Sequence, residues 1–126
     1  MDIKYCDRED LPSNVSYEDF VQMLVPLRDS LDILGGKWKL QIIFSLKFGR
    51  KRFKQIQREI PGISPKMLSK ELKELEINDL AKRYVHNTMP ITVEYELTEY
   101  EKTLKSVVTE LYKWGAAHRR HIAERM

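Results

Sequence analysis

The sequence predicts a mainly helical α+β domain in which a helix-turn-helix pair precedes a two-stranded hairpin and further helices flank both. Three observations predict this fold class. Apolar residues recur at helical spacing through most of the chain, a Pro61-Gly62-Ile63-Ser64 turn separates two helical stretches, and after Asp79 the apolar period changes from 3.6 to 2 residues. The 126 residues are 42% hydrophobic and 33% charged, which suits one small domain with a core of its own.

The first predicted helix follows a polar, acidic N-terminal arm, residues 1–15. Ser16 is a suitable N-cap residue, with an acidic residue three positions later. Pro26 interrupts the helical pattern, and a proline is tolerated best in a first helical turn. We therefore expect the helix to kink or restart at Pro26 and to end at Gly35-Gly36. Its apolar face consists of Phe20, Leu24, Leu27, Leu31 and Leu34.

Three more helices are predicted, over residues 37–48, 53–60 and 65–78. Ser64 is a good N-cap and Pro65 a good first residue for the last of them. The helices on either side of the Gly-containing turn form a helix-turn-helix unit. The helix at residues 37–48 directs five apolar side chains inward: Trp38, Leu40, Ile42, Ile43 and Leu46.

A hairpin and a final helix complete the predicted domain, which covers residues 16–126 with a binding core at 34–97. Residues 80–85 and 93–97 alternate in polarity as strands do, and a turn-prone segment joins them. Thr98-Glu99-Tyr100-Glu101 is a capping-box sequence that begins the last helix, residues 98–121. This helix carries apolar residues at helical spacing: Leu104, Val107, Val108, Leu111 and Trp114.

Basic residues are concentrated in the middle third of the chain. Residues 37–73 contain eleven Lys or Arg and two Asp or Glu, although the whole chain has a net charge of only +3. Such a segment is either a solvated basic face or the binding site of an anionic partner. The helix-turn-helix favours the second interpretation, because its second helix is the element that enters a DNA major groove.

The helix at residues 65–78 has an apolar face and a separate basic stripe. Met67, Leu68, Leu72 and Leu75 can face a core, and the stripe consists of Lys66, Ser69, Lys70 and Lys73. Its ammonium and hydroxyl groups suit phosphates and guanine edges. Lys82 and Arg83 on the first strand extend the basic surface. The predicted DNA-binding residues are Arg50, Lys51, Arg52, Lys54, Ser64, Lys66, Met67, Ser69, Lys70, Lys73, His86, Asn87 and Thr88.

Five sequence motifs resemble the HxlR-type family of bacterial transcription regulators. They are Leu34-Gly35-Gly36-Lys37-Trp38, Arg52-Phe53, Ile60-Pro61-Gly62-Ile63-Ser64-Pro65-Lys66-Met67-Leu68, Leu72-Lys73-Glu74-Leu75 and Val93-Glu94-Tyr95-Glu96-Leu97-Thr98. The resemblance covers residues 26–115. It implies a cytoplasmic winged helix-turn-helix domain that acts as a homodimer on operator DNA, as repressor or activator. Some members of the family respond to electrophiles, oxidants or small molecules, so a small-molecule effector is a further candidate partner.

The chain departs from the family pattern at two positions. Redox-sensing members carry a cysteine directly before the proline that opens the first core helix, and this chain has Val25 there. Cys6 lies twenty residues before Pro26, so it is not equivalent and is only a candidate redox thiol. As the single cysteine it also excludes an intrachain disulfide. Glu101 stands where the family commonly has a glycine.

The first and last helices have apolar faces without a partner in a minimal winged helix. We expect these faces to form a twofold dimer that presents two recognition helices to a palindromic site, with half-sites about 34–36 Å apart. The alternative is that they complete the core of a single chain. The predicted interface residues are Phe20, Leu24, Leu27, Leu31, Leu104, Val107, Val108, Leu111 and Trp114.

Other classes of function have little support in the sequence. His118 and His121 could share a metal, but no third ligand is nearby and Arg119-Arg120 would repel a cation. No Gly-rich phosphate loop, apolar membrane-spanning run or signal peptide is present, so we expect no cofactor, enzyme activity or membrane insertion. The remaining alternative is a winged-helix protein-interaction module, for which binding would be insensitive to salt.

Overall fold

The computed structural model describes residues 16–126, which divide into two compact units between Gly35 and Gly36. The first unit contains α1, Tyr17–Leu34. The second contains α2 (Lys39–Leu46), β1 (Lys51–Arg52), α3 (Phe53–Glu59), α4 (Pro65–Ile77), β2 (Ala81–His86), β3 (Thr92–Leu97), a 3₁₀ helix (Tyr100–Leu104) and α5 (Lys105–Glu124). This is the predicted mainly helical α+β class. The predicted N-terminal arm and Cys6 lie outside the described residues.

Helix α1 begins as predicted and continues through its proline. The Ser16 hydroxyl accepts a hydrogen bond from the Asp19 amide at 3.1 Å, and the Gly35 amide donates to Leu31 at the other end, at 2.7 Å. The expected restart at Pro26 was wrong, because one helix includes this residue. A proline removes a single backbone hydrogen bond from a helix. The helical turns before and after Pro26 are complete, so the helix continues through it.

The core of the second unit is formed by aliphatic side chains from α2, α3 and α4. Their spacing of three and four residues places them on one face of each helix. Two predicted inward residues of α2, Trp38 and Leu40, are only half-buried. The largest side chains that are fully buried are Ile42, Ile43, Ile56, Leu68, Leu72 and Leu75.

The turn between α3 and α4 confirms the predicted helix-turn-helix. Gly62 has a φ of +87°, a conformation that residues with a Cβ atom rarely adopt. The Ser64 hydroxyl accepts a hydrogen bond from the Met67 amide at 3.1 Å, and Pro65 occupies the first helical turn, where its missing N–H costs nothing. These local features set where α4 begins.

The hairpin is confirmed and belongs to a sheet of three strands in the order β1-β3-β2. Strands β2 and β3 pair antiparallel, with Ala81 opposite Leu97 and His86 opposite Thr92. Strand β1 pairs with the other edge of β3, with Lys51 opposite Tyr95. Strand β1 was not predicted, because two residues are too few to show an alternating pattern.

The last helix does not begin directly at the predicted capping box. The Thr98 hydroxyl accepts a hydrogen bond from the Glu101 amide at 3.1 Å, which is half of the expected exchange. The Glu101 carboxylate, however, binds the Lys47 ammonium at 2.9 Å, and the Thr98 amide donates to the Leu80 carbonyl. With the reciprocal bond lost, a 3₁₀ helix occupies residues Tyr100–Leu104 and α5 starts at Lys105.

Candidate nucleic-acid interface

The basic residues of the second unit separate into two groups, those with a carboxylate partner and those without. Five lysines and arginines have a carboxylate oxygen within 3 Å: Lys39 with Glu71 and Glu74, Lys47 with Glu101, Arg50 with Glu96, Lys51 with Glu59, and Lys102 with Glu99. Within residues 16–126, no carboxylate oxygen lies within 4.0 Å of the cationic groups of Arg52, Lys54, Lys66, Lys70, Lys73 or Arg83. The second group is therefore free to neutralise an external anion.

Helix α4 carries its unpaired lysines on one exposed face. The predicted stripe of Lys66, Ser69, Lys70 and Lys73 is exposed along the length of the helix. The opposite face is buried and contains Leu68, Glu71, Leu72 and Leu75. The stripe thus presents three ammonium groups and one hydroxyl to solvent, the donor set that binds phosphates and base-edge acceptors.

Two of the three glutamates of α4, Glu71 and Glu74, form ion pairs with Lys39. The Lys39 ammonium lies 2.6 Å from Glu71 Oε2 and 2.5 Å from Glu74 Oε2. Although burial opposes it, the hydrogen bonds to the two carboxylates raise the pKa of Lys39 above its usual range. The hydrogen bond from Lys39 lowers the pKa of Glu74. The negative charges of Glu71 and Glu74 are therefore neutralised by Lys39, and they do not offset the positive charge of the exposed stripe.

Arg50 and Lys51, both predicted to bind DNA, have partners within the chain. Arg50 donates two hydrogen bonds to Glu96 Oε2, at 3.0 and 2.7 Å, and its guanidinium lies 3.9 Å from the ring centre of Tyr84. The Lys51 side chain is only 12% exposed and lies 2.5 Å from Glu59 Oε1. Folding thus brings a carboxylate to each of these positions, and contact of Arg50 and Lys51 with the DNA backbone stays a prediction.

The remaining predicted residues before and within the helix-turn-helix are placed in different environments. Arg52 and Lys54 are exposed at the start of α3. Met67 is half-buried, and the Ser64 hydroxyl already accepts the Met67 amide as the α4 cap. Contact of these four side chains with DNA stays a prediction.

Some polar groups of the hairpin tip are bound to other groups of the same chain. His86 Nε2 lies 2.7 Å from Glu94 Oε1, so a carboxylate already occupies one side of the predicted histidine contact. The Thr88 hydroxyl donates to the Pro90 carbonyl at 2.7 Å, and Asn87 is exposed. Of the three predicted contact residues at the tip, Asn87 is the one whose side chain has no hydrogen-bond partner among the described residues.

Arg83 was not among the predicted DNA-binding residues, and the face of the sheet on which it lies was not predicted. It pairs across the hairpin with Tyr95, a buried residue, whereas its neighbour Lys82 pairs with Glu96. Successive strand residues face opposite sides of a sheet, so the two cations are separated. Arg83 lines a groove together with Ser69 and Lys73 of α4. The alternation of β2, in which Arg83 shares its face with Ala81 and Val85, was the available signal.

The residues predicted for a dimer interface are mostly exposed in the single chain. Phe20, Leu27 and Leu31 of α1 and Val107, Leu111 and Trp114 of α5 are exposed, whereas Leu24 and Leu104 are half-buried. Val108 is only 5% exposed. Its assignment to the interface was wrong, because a side chain already buried in one chain offers no surface to a second.

Two further properties bear on the class of protein. Within the described part of the chain, no helix is long and apolar enough to cross a membrane. Residues 16–126 contain no cluster of three or more His, Cys, Asp or Glu side chains with the geometry of a metal site. The ring of His118 stacks on Trp114, with 4.7 Å between ring centres.

The chain is similar in sequence to known transcriptional regulators. Residues 33–123 match the family described as HxlR-like helix-turn-helix. The chain is 40% identical over 94 residues to the HTH-type transcriptional regulator YtcD of Bacillus subtilis, which covers 75% of each protein. It is 37% identical over 100 residues to an HTH-type transcriptional regulator of Methanothermobacter thermautotrophicus, covering 79% of this chain and 76% of that protein.

Solved structures of such regulators have the same fold. The crystal structure of YtcD matches with a TM-score of 0.72 over 75% of this chain and 96% of that one. The reduced form of the redox regulator HypR, 36% identical, matches with a TM-score of 0.74 over 79% and 98%. A MarR-family regulator from Enterococcus faecalis V583, 27% identical, matches at 0.67 over 91% and 99%. With its helix-turn-helix, hairpin and exposed basic stripe, the chain belongs to the HxlR-like helix-turn-helix family of transcriptional regulators, not to a family of enzymes.

Proposed function

We propose that this regulator binds operator DNA sequence-specifically, with α4 as the recognition helix in the major groove. The observation that carries the proposal is the stripe of Lys66, Ser69, Lys70 and Lys73, which is exposed and has no carboxylate partner among the described residues. The opposite face of α4 is buried, so only the face with the stripe is available to a binding partner. That surface carries the three unpaired lysines of the helix.

The donors divide by position into those that read bases and those that hold the backbone. In a helix-turn-helix the N-terminal residues of the second helix contact base edges. Lys66 and Lys70 occupy that part of α4. Arg52 and Lys54, exposed at the start of α3, bind phosphates and orient the domain, and Asn87 at the hairpin tip contacts the flanking groove.

The regulator acts in the cytoplasm as a homodimer on a palindromic operator, as a repressor or an activator. Large apolar side chains that are exposed on α1 and, separately, on α5 support this part of the proposal, because they are available for contact with a second chain. A twofold dimer presents two copies of α4 to half-sites about 34–36 Å apart along the DNA.

The test is salt-dependent binding to DNA from upstream of the protein's own gene and its neighbours. Wild type is compared with K66A/K70A/K73A and with K102A/K105A/K113A, which removes the same charge from the 3₁₀ helix and α5. We expect tight binding of one fragment that weakens steeply with salt, is lost in the first variant and is retained in the second. Equal weak binding of every fragment by all three proteins would contradict the proposal. Salt-insensitive binding of a protein partner, independent of these lysines, would instead support an interaction module.

A further inference from the structure

A groove between α4 and the hairpin brings together side chains from two elements that are separate in the sequence. Its lining consists of Ser69, Lys73, Glu76, Ile77, Arg83 and Tyr95. Ser69 and Lys73 are one turn apart on the exposed face of α4. Arg83 enters from β2, opposite Tyr95 in the antiparallel register.

The fold gives the two cations of this groove no counter-charge, in contrast to the paired cations of the second unit. Lys39, Lys47, Arg50 and Lys51 each have a carboxylate within 3 Å. For Lys73 and Arg83, no carboxylate of residues 16–126 lies within 4.0 Å. Glu76 is the one acid that lines the groove. The groove is therefore left with an excess of positive charge that an external anion can neutralise.

The donor types match a phosphodiester better than a base edge. A guanidinium offers parallel N–H donors to two oxygens of one phosphate, and an ammonium and a hydroxyl can bind the same group. Lys73 lies in the C-terminal half of α4, beyond the part of a recognition helix that contacts bases. The hairpin forms the second wall of the groove. A phosphate bound there would therefore lie beside α4, not between α4 and the bases.

We infer that Arg83 and Lys73, with the Ser69 hydroxyl, form a binding site for one DNA backbone phosphate at the junction of α4 and β2. This inference rests on the proposed function and refines it. Lys73 belongs with the hairpin as a backbone contact, whereas Lys66 and Lys70 remain in the base-reading part of the helix. Arg83 is thus an additional positioning residue that fixes the angle between the recognition helix and the duplex.

The experiment compares R83Q and K73Q with K82Q, which changes the adjacent β2 residue on the opposite sheet face. Affinity is measured for the operator fragment and for a scrambled fragment of equal length over a range of salt concentrations. We expect R83Q and K73Q each to weaken binding of both fragments by the same factor, about fivefold at 0.15 M salt, and to lower the salt slope by about 0.9. K82Q should leave the slope near that of wild type.

A variant in the opposite direction separates the inference from damage to the fold. E76Q removes the negative charge from the groove and should tighten binding of both fragments by about twofold, a gain that a misfolded protein cannot produce. The inference is overturned if wild type binds the operator but R83Q and K82Q have the same slope, or if R83Q changes the ratio of operator to scrambled binding. Failure of wild type to bind DNA would instead overturn the proposed function.

Discussion

Lys39 of α2 and Glu71 of α4 form a buried ion pair, with 2.6 Å between Nζ and Oε2 and side chains that are 9% and 11% exposed. Glu74 adds a second carboxylate at 2.5 Å from the same ammonium. The three charges join α2, the helix before the helix-turn-helix, to α4. Their removal one at a time therefore tests how α4 is held in place.

Replacing Lys39 alone should destabilise the domain strongly. K39M leaves Glu71 buried beside an apolar side chain, and removing one partner of a buried ion pair costs about 3 kcal/mol of unfolding free energy. Chemical denaturation of wild type and K39M measures the difference. The double variant K39M/E71L should recover much of the loss, because no unpaired buried charge remains. Equal stability of K39M and wild type would show that the pair does not hold α4.

Stability should fall in acid because of carboxylates whose pKa is lowered in the folded state. Hydrogen bonding from Lys39 lowers the pKa of Glu74, and hydrogen bonding from Lys51 lowers that of Glu59, below their ordinary value of 4.5. A lowered pKa contributes stability that is present above the unfolded value and lost as the pH falls through the folded one. The free energy of unfolding, measured between pH 7 and pH 3, should thus decrease below about pH 4.5.

The variants E59Q and E74Q identify the groups responsible for this acid dependence. Each should have a shallower decrease in stability below pH 4.5 than wild type, because one titrating group has been removed. A curve for E74Q that is parallel to wild type would rule out the Lys39–Glu74 pair as a contributor.

The turn before α4 should tolerate asparagine better than alanine at position 62. Gly62 has a φ of +87°, and a Cβ atom there would lie 3.9 Å from Trp38, an ordinary contact. The cost of G62A is therefore conformational and amounts to about 1 kcal/mol, whereas asparagine adopts this region more readily. Thermal unfolding should rank the proteins in the order wild type, G62N, G62A. Equal stability of the two variants would contradict this explanation.

The exposed face of α5 should be required for dimer formation but not for folding. L111E/W114E places two charges on side chains that are 49% and 66% exposed, so we expect a folded monomer with weaker operator binding. V108E places a charge at a position that is 5% exposed and should unfold the domain. Sedimentation velocity and circular dichroism distinguish these results. A dimer that persists in L111E/W114E would exclude this face as the interface.

Features of the fold that depend on neighbouring residues could be predicted from the sequence, and features that depend on distant residues could not. The Ser16 and Ser64 caps, the turn at Gly62 and the exposed stripe of α4 all follow from spacings of three or four residues, and each was found as predicted. Strand β1 was missed, since it is a strand only through its pairing with β3.

The candidate site shows the same division between local and distant information. The sequence places Lys66 and Lys70 on one face of a helix, but it does not show that Glu96 neutralises Arg50 across 46 positions. Nor does it show that Glu101, a natural capping residue, is instead bound by Lys47. Charge counts along a chain cannot distinguish paired cations from free ones, because the pairing is decided by the packing of elements.

The strand order β1-β3-β2 also bears on aggregation. It places β2 at one edge of the sheet, with no strand of the described chain on its outer side. Exposed edges of this kind can add a strand from another molecule, and charged residues in the middle of the edge oppose such growth. Lys82 and Arg83 occupy that position in β2. Substitutions there should therefore be polar, because valine or isoleucine would remove the protection against fibre-like association together with the charge.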